Sequence, residues 1–453
     1  MLENLIRGII GIILILGIAF LFSNNKKKID YRLVGYGLLI QIIFAIFILK
    51  GEYLRSIFAP LGWVKDFFQW VSSFFVLILN FTTEGSKFVF GKLALPPGTE
   101  GSLGMVFAFQ VLTIIIFFAS LVAILYHLGI MQKIVQGMAW IVAKILRTSG
   151  AESLSCTANI FLGQTEAPLV VKPYIEKMTN SELLTIMTGG MATIAGSVMG
   201  AYIQILGLSF AQAMGMELKE AQLLFATHLL SASIMAAPGA IIISKIIYPE
   251  TGDPVTRGSV KLQVEKTSAN IIDAAASGAS EGLKLALNVG AMLIAFIALI
   301  ALVNYSLEWF GGVTGLNEIL KAEYGKPLNL QLILGLILRY VAYGIGVPWK
   351  DALNFGSLLG SKVVVNEFIA YMDMSKLIQA KEFFSEKSII MATYALCGFA
   401  NFSSIAIQIG GLTPLAPSRR SDLSKLGLRA VLGGVLATLL TATLAGIFFS
   451  GNI

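Results

Sequence analysis

Charge is scarce in this chain. Asp, Glu, Lys and Arg make up 13% of its 453 residues, about half the share of an ordinary soluble domain. Hydrophobic residues make up 56%, and mean hydropathy is +0.80. A soluble core needs a polar shell, and too little polar sequence is present to build one, so the bilayer is the expected solvent. The two cysteines, Cys156 and Cys397, both lie in small-residue apolar stretches. They imply no disulfide framework and no thiolate metal site. The two histidines, His127 and His228, each sit near one end of an apolar run without a second ligand at metal spacing. They read as buried or interfacial side chains. No GxxxxGK loop occurs, so ATP-driven work is not indicated, and no nucleophile–base pair suggests an enzyme. The net charge of +7 raises the question of a nucleic-acid partner. None is expected, because the basic residues fall in short loops between apolar runs, where the positive-inside rule wants them.

What the chain does have is long apolar runs. Residues 5–22, 33–49, 104–128, 183–206, 221–248, 285–307, 388–409 and 430–449 can each cross the hydrocarbon core as a helix. The first run lacks a clear cleavage site and is followed by Lys26, Lys27 and Lys28, so it reads as a span rather than a signal peptide. Residues 57–80 mix Trp63, Phe67, Phe68, Trp70, Phe74 and Phe75 with Lys65, Asp66 and Gln69. That pattern predicts an aromatic interfacial helix, with a tilted span as the alternative. Basic loops set the orientation: Lys26–Lys28 with Arg32, then Lys133, Lys144 and Arg147, then Arg257, Lys261 and Lys266, then Arg419, Arg420, Lys425 and Arg429 all face the inside. Both termini, the latter being Gly451, Asn452 and Ile453, are then outside.

Two stretches, about 150–178 and 346–374, are poor simple spans because each carries Gly, Ser, Asn and a carboxylate. In the first, Gly163 permits a tight reversal, Pro168 interrupts a helix ladder, and Gln164, Thr165 and Glu166 stand between them. In the second, Glu367 follows Asn366 and a Gly-rich turn holding Gly356, Gly360 and Ser361. Re-entrant hairpins would carry these polar tips into a protein-lined cavity; the alternatives are a cytoplasmic loop and an exposed helix end. The span after each stretch is rich in small and polar residues. Close helix packing would explain that, and so would an unwound helix, with Asn401 bonding to the backbone. Unwound carbonyls, Asn159 and Thr193 are candidate ligands for a sodium ion.

The order span, odd stretch, span occurs twice, from opposite sides of the membrane. That makes an inverted repeat of the kind secondary transporters use. The expected fold is an all-α polytopic membrane protein with eight transmembrane helices, two re-entrant hairpins in inverted repeats and an interfacial helix. Its expected divisions are 1–103, the N-terminal helices; 104–248, the first repeat; and 249–453, the second repeat with the C-terminal helix.

Four motifs resemble the concentrative nucleoside transporters, especially the bacterial sodium-coupled members. They are GQTEAPLVVKPY (163–174), SANIIDAAASGASEGLKLALNVGAMLIAF (268–296), GSLLGSKVVVNEFIAY (356–371) and CGFANFSSIAIQIGGL (397–412). The resemblance implies a homotrimer in the bacterial inner membrane that imports nucleosides such as uridine by alternating access, without an organic cofactor. It places Gln164, Thr165 and Glu166 on the nucleobase with Val198 nearby. Glu367, Asn401 and Ser404 would bind the ribose, with Phe399 against the ligand. Sodium would be held by Asn159, Leu162, Thr193 and Ile194, Leu162 and Ile194 through backbone carbonyls only. Thr193 stands where a serine is expected. Proton coupling, another small polar solute, and a pore remain as rivals.

Overall fold

The computed structural model describes residues 2–97, 99–258, 268–383, 385–449 and 451. Lys261 and Lys266 of the expected inner loop, and the terminal Asn452 and Ile453, lie outside them. Among the described residues the elements are all helical.

The chain opens with α1 (Leu2–Leu21) and α2 (Tyr31–Leu49). Asp30 starts α2 by accepting hydrogen bonds from Arg32 N at 2.9 Å and Leu33 N at 3.2 Å. After the short α3 (Gly51–Ile57) comes α4 (Trp63–Phe90). This helix begins and ends later than the aromatic pattern predicted. Phe68, Ser72, Val76, Leu79, Thr82 and Ser86 form its buried stripe, while Trp63, Phe67, Trp70 and Phe74 are exposed. The stretch Ala59–Ala94 is long and apolar enough to cross a membrane, at the lowest hydropathy of the eight that are. The expected span 104–128 is α5 (Phe107–Gln110) and α6 (Leu112–His127). An unanticipated helix follows, α7 (Ile130–Leu146), with Ile130, Ile134, Trp140 and Ile141 exposed.

The first hairpin is α8 (Gly150–Ala158), a turn, and α9 (Lys172–Ile175). Its base is tied down. Ser149 and Glu152 form a capping box at the start of α8, and the Glu152 carboxylate meets buried Lys245 at 2.7 Å. Next come α10 (Asn180–Ala192), α11 (Gly196–Met214) and α12 (Leu218–Ile247). The second repeat runs through α13 (Ile271–Val313), α14 (Leu316–Tyr324), α15 (Leu330–Gly344), α16 (Trp349–Val364) and α17 (Glu367–Gln379). It closes with α18 (Glu386–Leu396), α19 (Phe402–Leu412) and α20 (Arg420–Phe448).

The helix α13 greatly overruns the expected span 285–307. Its 43 residues extend about 64 Å, twice the hydrocarbon thickness. The expected span 388–409 is the two half-helices α18 and α19. Gly356 and Gly360, read as part of a turn, are inside α16. They let α15 lie against it: a Cβ on Gly356 would sit 2.9 Å from Gly335 O. Small residues served packing there, not reversal. The histidines are partnered side chains: His127 Nδ1 lies 2.7 Å from Ser268 Oγ and His228 Nδ1 lies 3.3 Å from Tyr394 OH.

Burial divides the bundle. The apolar window of α12 is 94% buried, that of α10 with α11 is 94%, and that of α20 is 83%, against 17% for α13 and 22–28% for α1, α2, α4 and α6. The broken helices pack around α12 and α20, with hairpin 1 against α10 and hairpin 2 against α11 and α15. Outside lies a frame whose outer faces are apolar, as on α13, where Leu287, Ile294 and Leu302 are exposed. The inner side of α13 holds Gly278, Gly282 and Ala286 against α6, with no space for a Cβ on Gly282, which would be 2.8 Å from Ile116 Cα.

Candidate functional site

Hairpin 1 turns where α8 ends. Asn159 caps that end and donates from Nδ2 to Ser155 O at 3.1 Å. Its Oδ1 is enclosed and accepts no hydrogen bond, and neither does Ser155 Oγ one turn earlier. Such oxygens are uncommon in a buried site. The tip then meets the gap between α10 and α11. Phe161 O accepts from Gly196 N, the first amide of α11, at 3.1 Å. In the gap, Thr193 is extended (φ −118°, ψ 167°) and its hydroxyl donates to Gly189 O at 2.9 Å. Ile194 is fully buried and Leu162 nearly so. The bond from Gly196 N to Phe161 O thus brings the tip that holds Asn159 and Leu162 next to the gap that holds Thr193 and Ile194. No group of three His, Cys, Asp or Glu able to hold a metal occurs among the described residues. A cation here would be held by amide, hydroxyl and carbonyl oxygens, which suit a hard ion.

Hairpin 2 turns at Val365 and Asn366. Asn366 Oδ1 accepts from Ile369 N at 2.9 Å and starts α17, which puts Glu367 in the first turn, where a carboxylate is favoured. Glu367 is buried, and both of its oxygens are bonded. Oε1 accepts from Tyr202 OH at 3.0 Å and Oε2 from Asn401 Nδ2 at 3.1 Å. Asn401 starts α19 in turn, its Oδ1 accepting from Ser404 N at 2.9 Å and Ser403 Oγ at 2.7 Å. Gln164 of hairpin 1 donates to Ser404 Oγ at 3.1 Å and accepts from Gln408 Nε2 at 3.1 Å. Gln408 also donates to Met187 O at 3.0 Å.

A continuous polar chain therefore runs from Tyr202 through Glu367, Asn401, Ser404 and Gln164 to Gln408, inside an otherwise apolar core. It joins both hairpins and the segment that starts each second half-helix. Val198 is buried in the first turn of α11, and Phe399 is half-buried in the gap before α19. The second gap meets the end of α10: a Cβ on Gly398 would lie 2.7 Å from Met191 O, so only glycine fits.

The packing is exchanged between repeats. Hairpin 1 lies against α19 of the second repeat, and hairpin 2 against α11 of the first, where the Tyr202 ring also meets Phe368 edge-on at 5.1 Å and lies tilted against Tyr371 at 4.3 Å between ring centroids. One shift in sequence carries Thr179 onto Ser385 and Ala195 onto Asn401, the residues preceding the paired half-helices. The same shift carries Val198 onto Ser404 and Tyr202 onto Gln408.

Tyr202 and Gln408 were missed in the sequence. The available signal was helical spacing, since each lies one turn beyond a singled-out residue, Val198 or Ser404. Two expected base contacts stand apart from the polar chain. Glu166 is exposed and accepts from its own Gly163 N at 3.2 Å, and Thr165 is half-buried against Gly411, whose Cβ would lie 2.7 Å from Thr165 Cγ2. Gly163 does not take the left-handed backbone that a tight reversal would need.

Family models described as Na+ dependent nucleoside transporter match residues 10–93 (N-terminus) and 228–446 (C-terminus), and one described as nucleoside recognition matches 108–209. The chain is 45% identical over 446 residues to the uncharacterized transporter YutK of Bacillus subtilis, covering 98% of this chain and 100% of that protein. It is 38% identical over 455 residues to the nucleoside permease NupC of Helicobacter pylori, covering all of both. Among solved structures, CNTnw in an inward-facing substrate-bound state superposes with a TM-score of 0.82 at 38% identity, over 98% of this chain and 99% of that one. A variant of CNTnw in an outward-facing state superposes with a TM-score of 0.84 over 98% of this chain and 97% of that one.

Proposed function

The chain belongs to the family of Na+-dependent nucleoside transporters, and from that premise we propose that it imports nucleosides such as uridine together with sodium. The observation that carries this reading is the buried polar chain. Ribose hydroxyls are donors, and Glu367 with Asn401 and Ser404 offers acceptors for them. A nucleobase has a polar edge and apolar faces, which suit Gln164 with Thr165 beside it, and Val198 and Phe399. Glu166 would reach the base once its bond to Gly163 N opens. On binding, a nucleoside would replace hydrogen bonds that the site now makes with itself, and Gln408 Oε1, which is buried and accepts none, could accept a further one.

Sodium is the second cargo. Asn159 Oδ1, the Thr193 hydroxyl and the carbonyls of Leu162 and Ile194 would bind it, with Ser155 Oγ adjoining. An ion there would link the hairpin 1 tip to the start of α11 and so order Gln164 for the nucleoside. Transport then alternates access: the unit of hairpins and broken helices moves against the frame of α1, α2, α4, α6 and α13. We assign the exposed apolar faces of that frame to lipid and to two further copies in a homotrimer, and both chain ends to the periplasmic side of the inner membrane.

The test is radiolabelled uridine uptake into proteoliposomes under an inward sodium gradient, an inward proton gradient, or neither. Accumulation with sodium alone is expected. Accumulation with protons alone would overturn the sodium site, and none from folded protein with any nucleoside would overturn the substrate.

A further inference from the structure

The polar chain has a sense, and Gln408 sets it. A carboxamide donates from one end and accepts at the other, so an amide in a chain of hydrogen bonds can face either way unless something fixes it. A backbone carbonyl only accepts. Gln408 Nε2 donates to Met187 O at 3.0 Å and to Gln164 Oε1 at 3.1 Å, which uses both of its N–H groups. Its Oε1 is buried and accepts no hydrogen bond, an uncommon condition in a protein interior. The amide holds this sense even so, because turned over it would set its oxygen against the Met187 carbonyl. The fit is close as well: a Cβ on Gly190 would lie 2.7 Å from Gln408 Nε2 and 3.0 Å from Gln164 Cβ.

That sense passes on to Gln164. With its Oε1 turned to Gln408, Gln164 presents Nε2 on the other side, where it donates to Ser404 Oγ at 3.1 Å. Nε2 makes no other bond among the described residues, so one N–H of Gln164 is left for a ligand. Gln164 therefore meets the ribose end of the chain as a donor. With a ribose held at Ser404, Asn401 and Glu367, the part of the base nearest to this donor is the position beside the glycosidic bond. Pyrimidines and purines carry the same kind of atom there, an acceptor, which is O2 in one and N3 in the other. Their outer edges differ in donors and acceptors from base to base.

We infer that Gln408 is a positioning residue that holds Gln164 as a donor, so that the site reads the acceptor which pyrimidine and purine nucleosides share and takes both classes. This rests on the nucleoside reading above. Gln408 acts through Gln164 and through the carbonyl of Met187, which fixes the whole series from Met187 O to Ser404 Oγ in one sense.

The experiment is displacement of radiolabelled uridine from the purified protein at saturating sodium. The competitors are unlabelled uridine, adenosine, and 3-deazaadenosine, which has a C–H where adenosine has N3. The wild type is expected to bind adenosine within about tenfold of uridine. It should bind 3-deazaadenosine about tenfold more weakly than adenosine, since the buried Gln164 donor then has no acceptor. In Gln408→Met the side chain keeps its length but holds no amide, and Gln164 is free to turn. The preference for adenosine over 3-deazaadenosine is expected to shrink there to about twofold or less. A merely structural role for Gln408 would instead weaken all three competitors by one factor and leave the preference unchanged, which would overturn the inference. Failure of adenosine to displace uridine, or equal displacement by the two adenosines in the wild type, would also overturn it. If Gln408→Met does not fold, Gly190→Ala decides, because its methyl group pushes the two glutamines out of register. Loss of the preference in Gly190→Ala supports the inference, and an unchanged preference overturns it. Absence of saturable uridine binding by folded wild-type protein would instead remove the nucleoside reading itself.

Discussion

In the first repeat the chain leaves α10 at Ala192 and re-enters helix at Gly196, and the residue before that helix, Ala195, has no side chain to cap it. In the second repeat it leaves α18 at Leu396 and re-enters at Phe402, and Asn401 caps the new helix through Oδ1 to Ser404 N at 2.9 Å. The first gap borrows its order: Gly196 N is satisfied by Phe161 O of hairpin 1 at 3.1 Å. The second gap is capped from within by Asn401, and the Lys362 ammonium on α16 of hairpin 2 braces the helix end before it, at 2.8 Å from Ala395 O. On the proposed reading, a self-capped gap next to Glu367 would be a rigid receptor for the sugar. A gap that depends on a hairpin tip, beside unpaired oxygens, can be switched by an ion. On that reading the difference between the repeats would divide the labour of symport between them.

The largest expected effects come from removing what each gap relies on. Glu367→Gln puts an amide where two donors, Tyr202 OH and Asn401 Nδ2, now point at a carboxylate, and one of them must lose its partner. Uridine affinity is expected to fall about 100-fold, roughly 3 kcal/mol, with folding intact. Wild-type affinity in an equilibrium binding assay would remove Glu367 from the ribose site. Asn159→Ala deletes the unpaired oxygen on the hairpin 1 tip that serves the first gap. There the expected loss, about tenfold or more, appears in the sodium concentration needed for half-maximal binding, while uridine affinity at saturating sodium stays near wild type. If both variants lose uridine affinity equally at all sodium concentrations, the division between the repeats is wrong.

A middle-sized effect tests the symmetry itself. Tyr202 and Gln408 are equivalent positions that each reach across to the other repeat's hairpin. Tyr202→Phe keeps the ring contacts with Phe368 and Tyr371 but removes a hydrogen bond to a carboxylate, worth about 1.5–3 kcal/mol. Gln408→Leu removes bonds to neutral partners, Gln164 Oε1 and Met187 O, worth about 1 kcal/mol each at most. The tyrosine variant is expected to bind uridine more weakly of the two. The opposite order would make hairpin 1 the principal sugar- or base-holding arm.

Much of this design was readable in the sequence, and the parts that were not share a cause. Apolar run length located most spans, and the coincidence of carboxylate, amide and glycine located both hairpins, because lipid forbids such groups at an exposed position. Asn401 was readable as a helix interrupter because its side chain competes with the backbone. The partners were hidden. Tyr202 to Glu367 and Gln164 to Gln408 join residues far apart in sequence, and helical periodicity says which side chains share a face but not which helix that face meets. Gly356 and Gly360 were misread because composition does not separate a turn from a close helix crossing. The helix α7 and the excursion α14–α15 were overlooked because short amphipathic helices carry no long apolar run. The extent of α13 was missed because its first turns, with Asp273, Ser277, Ser280, Glu281 and Lys284, are polar helix rather than span.

The smallest expected effect addresses the comparison most directly. Ala195 is the position equivalent to Asn401, and serine is small enough to replace it with one added oxygen. At the residue before a helix, a serine hydroxyl accepts from an amide in the first turn, here Ser197 N or Val198 N. Ala195→Ser should therefore stabilise the start of α11 by about 0.5–1 kcal/mol, raising the thermal unfolding midpoint by about a degree in the absence of sodium. The informative quantity is the further rise when sodium is added. An ion stabilises what it orders, by an amount set by its preference for the ordered state. A gap already capped leaves it less to order, so the sodium-induced shift should shrink in Ala195→Ser relative to wild type, measured side by side in the same detergent. A sodium shift of full size on top of the higher midpoint would mean that the first gap is ordered by hairpin 1 alone. The ion would then act on the hairpin's position rather than on the start of α11.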